Sequence, residues 1–279
     1  MVDKDETQMN RTDPESESAL ENLSAGERRS RIAQMVSANG RVHVTSLVQQ
    51  FGVTETSIRR DLTLLERAGR LQRVHGGAIP RRGSSRTDSF AEKMGLQIEA
   101  KMRIGRAAAE LIRSRDIILL DSGTTTLQIV QQTPMTLREN NSITLVTNSQ
   151  PIAHEVLTWA SPNLTILGGV FLPDYQATVG PQTLAQLQDL TADKLFLGAD
   201  GLTLAGGATT ANVLMAQVDG MMAEHAREVI LVLDSSKIGR AGFVPIKPVD
   251  SIHKLITDAD APPEFVDAVR ARGVEVLQV

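Results

Sequence analysis

The sequence predicts an α/β chain in two parts, a small module of three helices and a β-hairpin followed by a larger domain whose sheet is mainly parallel. Three observations predict it. Of three helical apolar stripes the second and third meet at a glycine turn, and the third leads into an alternating hairpin; a Pro/Gly/Ser-rich stretch without periodicity comes next. From residue 90 onward helical and strand-like segments alternate, each apolar run closing in a polar or glycine-rich turn.

Composition narrows the function classes. The 279 residues suffice for two modest domains, no stretch reaches the roughly 18–20 apolar residues of a membrane span, and no signal core opens the chain. A soluble, cytoplasmic protein is expected. With no cysteine, disulfides, thiol nucleophiles and cysteine-ligated zinc are excluded; the five histidines lack metal-ligand spacing, so neither metal nor cofactor is expected. The net charge of −4 hides a segregation: residues 1–24 carry −5, residues 25–86 carry +8 with all twelve cations arginine, and residues 87–279 carry −7. A compact basic module between acidic stretches points to a polyanion partner for that module.

Element by element, residues 1–24 are polar and acidic and read as a disordered tail. A first helix is predicted over 25–39, where Ile32, Met35 and Val36 recur at helical spacing and Asn39-Gly40 supplies a stop. Val44, Leu47, Val48 and Phe51 predict a short second helix, capped by Thr45 or its neighbour and ended by Gly52. Thr54 is a good N-cap for a third, with buried stripe Ile58, Leu62 and Leu65, running to Gly69; residues 71–79 then alternate around Gly76-Gly77 as a hairpin does. Two helices joined by a tight turn at Gly52 are a helix-turn-helix arrangement. Residues 25–79 form one expected domain, 80–89 the linker and 90–279 the second domain.

If the third helix buries its apolar stripe, Thr54, Glu55, Thr56, Ser57, Arg59 and Arg60 line its free N-terminal end, where a recognition helix meets the major groove. Hydroxyls bond base edges or phosphates, and a guanidinium grips guanine or a phosphate with two donors. Arg73 and His75 on the hairpin are placed to reach the adjacent backbone or minor groove. The alternative is that Arg59 and Arg60 only pair with Glu55 or Asp61 on an exposed helix. The runs Arg28-Arg29-Ser30-Arg31-Ile32, Ser57-Ile58-Arg59-Arg60-Asp61-Leu62 and Arg73-Val74-His75-Gly76-Gly77-Ala78 closely resemble the DeoR family of sugar-metabolism repressors. The resemblance implies a winged helix-turn-helix that binds operator DNA with the Arg59-Arg60 helix in the major groove. The acidic extension before Ser24 departs from the family pattern.

In the second part, the apolar run 117–120 ends at Asp121, Ser122, Gly123, Thr124 and Thr125, a hydroxyl-rich turn opening a helix, where backbone amides bind anions without a full positive charge. Similar endings recur: Thr147 and Asn148 after 143–146, Gly168-Gly169 after 164–167, Gly198-Ala199-Asp200-Gly201 after 194–197, and Asp234-Ser235-Ser236-Lys237 after 230–233. In an open parallel, Rossmann-like sheet the carboxyl ends of strands line one crevice, so these residues are expected to converge. This half is also similar to the DeoR-family sensor domain, itself similar to ribose-5-phosphate isomerase and glucosamine-6-phosphate deaminase. That resemblance implies a phosphorylated sugar or polyol effector whose phosphate sits on the first motif, with Lys93, Lys101, Asp200, Asp234 and Lys237 contacting or organising the sugar. Ligand binding would release operator DNA.

Two rivals remain. Isomerase or deaminase chemistry needs a positioned acid or base, for which Asp200, Asp234 or Glu224 are the candidates; fold kinship does not carry activity, and no enzyme is expected. A non-regulatory DNA-architectural protein leaves the strand-end loops unexplained. Paired half-sites need paired readers, so a homodimer or homotetramer is expected.

Overall fold

The computed structural model describes residues 24–39, 41–67, 71–79, 89–139 and 141–279. The chain divides into two compact units, residues 1–84 and 85–279. Residues 1–23 of the expected tail (1–24), residues 80–88 of the expected linker (80–89) and the stops at Gly40 and Gly69 lie outside the described residues, and Ser89 caps the helix that follows the linker.

In the first unit, α1 (Ala25–Asn39) opens at Ser24, whose amide donates to Glu27 Oε2 at 2.9 Å while its Oγ accepts from the Glu27 amide at 3.4 Å. This reciprocal cap satisfies two donors that a helix start leaves open; Ser24 therefore belongs to the helix start rather than to the tail. β1 (Val42–His43) leads directly into α2 (Val44–Phe51). Here expectation fails in detail: His43 occupies the N-cap without a side-chain bond, and Thr45 lies inside the helix. Gly52 ends α2 at φ 61°, and α3 (Glu55–Arg67) starts behind Thr54, whose Oγ1 accepts from the Ser57 amide at 3.3 Å. Ile32, Val36, Leu47, Phe51, Ile58, Leu62 and Leu65 form the core with Leu71 and Ala78.

The hairpin, β2 (Gln72–Val74) and β3 (Gly77–Ile79), gains a third strand that periodicity could not reveal: two-residue β1 pairs antiparallel with β3, giving the order β1-β3-β2. This explains the double glycine. Gly76 turns at φ 76°, and a Cβ on Gly77 would lie 2.0 Å from the Val42 carbonyl oxygen, so only glycine lets β1 and β3 close.

The second unit opens with two helices, α4 (Phe90–Met94) and α5 (Ile98–Ala109). Gly95 caps the first, and Gln97, left-handed at φ 52°, precedes the second. Seven parallel strands follow in the spatial order β15-β14-β12-β9-β4-β5-β6: β4 (Ile117–Leu120), β5 (Thr144–Thr147), β6 (Leu164–Ile166), β9 (Ala192–Leu197), β12 (Ala226–Val232), β14 (Lys254–Thr257) and β15 (Glu275–Gln278). Their helices are α6 (Thr124–Gln132), α7 (Met135–Arg138), α8 (Gln150–Val156), α9 (Pro181–Leu187), α10 (Val213–Glu224) and α11 (Pro263–Arg270). Alternate strand residues feed two cores: Ile118, Leu120, Phe196, Ile230 and Val232 pack with Ile104 and Ile129, and Leu119, Leu195 and Leu231 pack with Val218 and Met222. Burial on both faces is why these strands read as continuous apolar runs. Two additions lie outside the main sheet, the hairpin β7 (Val170–Leu172) and β8 (Ala177–Val179), and a small antiparallel sheet of β10 (Gly201–Thr203), β11 (Gly207–Thr210) and β13 (Val244–Lys247).

Candidate nucleic-acid interface and ligand crevice

On α3 the buried stripe turns Glu55, Thr56, Arg59 and Arg60 to solvent. Thr54 and Ser57 are committed to the helix start, their hydroxyl oxygens 3.0 Å apart. Arg59 meets Glu55 one turn back at 2.6 Å, both side chains more than half exposed. An exposed pair of this kind contributes little, so leaving Glu55 costs the Arg59 guanidinium little. Arg60 is exposed and makes no ion pair among the described residues. Arg73 departs from expectation: its Nη1 donates to Thr63 Oγ1 at 2.8 Å and its amide to Glu66 Oε1 at 2.9 Å, so it braces β2 on α3 instead of projecting from the wing. His75, at the hairpin tip, is exposed. Asp61 pairs with neither Arg59 nor Arg60; it is buried against Arg28 and Arg29 of α1.

In the second unit the ends of β4 and β9 meet. After β4, Asp121 is buried, and its carboxylate accepts the Gly123 amide at 2.9 Å and the Gly198 amide at 2.7 Å. It stitches the ends of neighbouring strands β4 and β9. A Cβ on Gly123 or Gly198 would stand 3.1 or 3.0 Å from this carboxylate, which explains both glycines. Burial pushes the Asp121 carboxyl up against the hydrogen bonds that favour its ionised form. Thr124 and Thr125, in the first turn of α6, are buried yet make no side-chain hydrogen bond among the described residues. The amides of a helix's first turn have no intrahelical partner, so this turn offers donors beside two unbonded hydroxyls. Ser122 is buried beside them.

Cations come from three elements. Lys93 on α4 reaches Asp200 Oδ1 at 2.5 Å; Asp200 Oδ2 accepts Thr210 Oγ1 and the Ala211 amide, each at 3.0 Å. Burial alone would raise the Asp200 carboxyl, but Lys93 and these donors outweigh it and hold the group below its ordinary range. Lys101 on α5 is buried, its Nζ donating to the Lys93 carbonyl at 2.5 Å. Burial drops its ammonium to about 8, with Asp234 opposing and Lys237 and Lys93 adding to the fall. Burial likewise lowers Lys237, again opposed by Asp234. Asp234, at the end of β12, accepts from the Ser236 amide and hydroxyl, and Ser235 N–H is held by Asp258 Oδ2 at 2.6 Å. Lys93, Lys101, Lys237, Asp200 and Asp234 thus form one electrostatic cluster.

Other expected residues serve the frame. Thr147 Oγ1 donates to the Leu120 carbonyl at 2.8 Å, and Asn148 Nδ2 to Thr178 of β8 at 2.9 Å, while Asn148 Oδ1 is enclosed without a partner. Gly168 is bonded to Thr183 and Gln186 on α9, and Gly169, at φ 155°, is packed on Thr183; no contact among the described residues joins either to the lysine cluster. Gly201 lies under the Arg240 carbonyl, where a Cβ would come within 2.3 Å. Glu224 is exposed at the end of α10.

Asp219 escaped sequence reasoning. It sits in the apolar face of α10, buried with Oδ1 unpartnered, and burial, then Asp121 and Asp200, raises its carboxyl well above the ordinary value. One acid between Val218 and Gly220 gives no periodic signal. Among the described residues, no group of three or more His, Cys, Asp or Glu is placed to hold a metal ion, and no helix is long and apolar enough to cross a membrane.

Comparison with known proteins matches both units. The model of the DeoR-like helix-turn-helix domain matches residues 28–81, and that of the DeoR C terminal sensor domain matches residues 96–259. The chain is 33% identical over 251 residues to the HTH-type transcriptional regulator GlpR of Haloferax volcanii, covering 90% of this chain and 96% of the relative. It is 33% identical over 273 residues to a putative aga operon transcriptional repressor of Escherichia coli O157:H7, covering 97% and 99%. To the lactose phosphotransferase system repressor of Streptococcus mutans it is 31% identical over 235 residues, covering 83% and 91%.

Proposed function

This chain belongs to the DeoR family of DNA-binding transcriptional regulators, and from that premise we propose that it represses a carbohydrate-metabolism operon and leaves its operator when a phosphorylated sugar or polyol fills the strand-end crevice. Two features support the effector class: the coupled cations Lys93, Lys101 and Lys237, and the buried, unbonded Thr124 and Thr125 hydroxyls that open α6 just after Asp121, whose carboxyl feels the charge of Lys93. A phosphate dianion suits helix-start amides, hydroxyls and cations together, whereas a neutral sugar brings no charge to the buried Lys101 or the half-buried Lys237 ammonium. Residues 25–79 read operator DNA, 90–279 sense the effector and 80–89 link them, in a homodimer or homotetramer acting in the cytoplasm. The effector acts by binding the DNA-free state more tightly than the DNA-bound state, and by linkage DNA then weakens effector binding by the same factor.

The family is one of regulators, not enzymes. Of the candidate acids, Asp200 is bound by Lys93, Thr210 and the Ala211 amide, Asp234 accepts from Ser236, and Glu224 lies exposed at a helix end.

A thermal-shift screen against sugar phosphates, polyol phosphates and the matching free sugars tests the reading. A true effector raises the melting temperature by the stability RT ln(1 + [L]/Kd) and loosens a DNA complex in the same concentration range. Stabilisation by free sugars as strong as by their phosphates overturns the phosphate assignment.

A further inference from the structure

Asp61 is the fourth residue of the Ile-Arg-Arg-Asp-Leu run on α3, yet it faces away from the surface that Arg59 and Arg60 present. Its side chain is 4% exposed, and its two oxygens are held by different arginines of α1: Oδ2 by Arg28 Nε at 2.7 Å and Oδ1 by Arg29 Nη1 at 3.4 Å. Arg28 is itself mostly buried, with 12% of its side chain exposed. The other three acids between residues 24 and 79 do local work at the surface, Glu27 at the start of α1, Glu55 beside Arg59 and Glu66 on the Arg73 amide. Asp61 alone is buried among them.

We propose that Asp61 is the specificity-setting positioning residue of the DNA reader: its carboxylate ties α1 to α3 in one orientation and keeps two guanidinium groups off the phosphate backbone. Burying charges to join two helices is an inefficient source of stability, since well-packed apolar residues do as well or better. What an apolar contact lacks is direction. Two arginines on opposite oxygens of one carboxylate fix the rotation of α3 about its axis, which decides where Arg59 and Arg60 meet base edges. The same pairs restrain cations that would otherwise join the sequence-independent attraction to DNA. The inference rests on reading α3 as the recognition helix.

The full-length protein first selects its operator from a random duplex pool. Wild type, Asp61→Asn and Arg28→Met are then titrated against that operator and a scrambled duplex of equal length across a salt series. Asn keeps the shape but not the charge, so the variant should lose about tenfold or more on the operator while holding or gaining on the scrambled duplex. Each guanidinium released to a phosphate steepens the salt dependence by about 0.9 in log–log slope. Arg28→Met removes the stronger tie and one cation together, so it should lose on the operator without gaining on the scrambled duplex. A merely structural role would instead weaken both duplexes alike and leave the slope unchanged, and that result overturns the proposal. If circular dichroism shows Asp61→Asn unfolded, Arg28→Met decides alone, and wild-type operator affinity in it is equally fatal. A wild-type protein that selects no sequence overturns the recognition-helix reading itself.

Discussion

Replacing Lys101 by methionine should make the ligand-free protein more stable while abolishing its response to effector. Lys101 is buried, and its ammonium falls from 10.5 to about 8. At about 1.4 kcal/mol per pH unit, the folded state carries about 3 kcal/mol of penalty for keeping this group charged at pH 7. Methionine matches the stem and removes the penalty. It loses the bond to the Lys93 carbonyl, worth about 1 kcal/mol, but that oxygen keeps the Leu96 amide at 3.1 Å. The net gain of about 2 kcal/mol corresponds to about 4–8 °C in melting temperature for a domain of this size. The sign of the pH dependence is diagnostic. Because the folded value lies below the unfolded one, the wild type gains stability as pH rises from about 8 towards 10.5, while the unfolded lysine alone still holds its proton. The advantage of Lys101→Met over wild type should therefore be full at pH 7 and vanish near pH 10. Melting curves of both proteins at these two pH values, without ligand, are the assay. A variant that melts below wild type at pH 7, or a gap that ignores pH, refutes the reasoning.

Arg59→Ala should lose about 1–3 kcal/mol of operator affinity, roughly 5- to 150-fold, and relax discrimination between operator and scrambled duplex in a gel-shift titration; an undiminished operator complex would rule out its base contact. Joint replacement of Thr124 and Thr125 by valine should spare DNA binding but remove effector-induced release, measured by fluorescence anisotropy, and normal release would misplace the anion cradle. Asp219→Asn should be more stable than wild type at neutral pH: a raised folded value means that wild type sheds stability as pH rises above the ordinary carboxylate range, and asparagine has no such loss. Urea denaturation at pH 5 and pH 8 checks this, with equal pH slopes counting against it.

The apolar stripes located α1, α2 and α3 because each buries one face on a shared core, and periodicity reports that directly. β1 was illegible because two residues have no period, and its pairing is decided by the approach that Gly77 allows. The strand-end loops were legible as a set, since polar and glycine endings after apolar runs are written in order along the chain. Their division of labour was not. Asp121 and Gly201 read as ligand contacts, whereas the fold uses Asp121 to join two strand ends and Gly201 to admit the Arg240 carbonyl.

The two-part organisation, the helix that carries Arg59 and Arg60, and the polar and glycine endings of the parallel strands could be read along the chain. These follow from local propensity and hydrophobic period, which act over a few residues at a time. Only the tertiary structure decided which charges meet: Asp61 with Arg28 and Arg29, Lys93 with Asp200, and Asp219 beside Asp121 and Asp200. Coulomb interactions and desolvation depend on distance through space and on exclusion of water, and neither is set by separation along the chain.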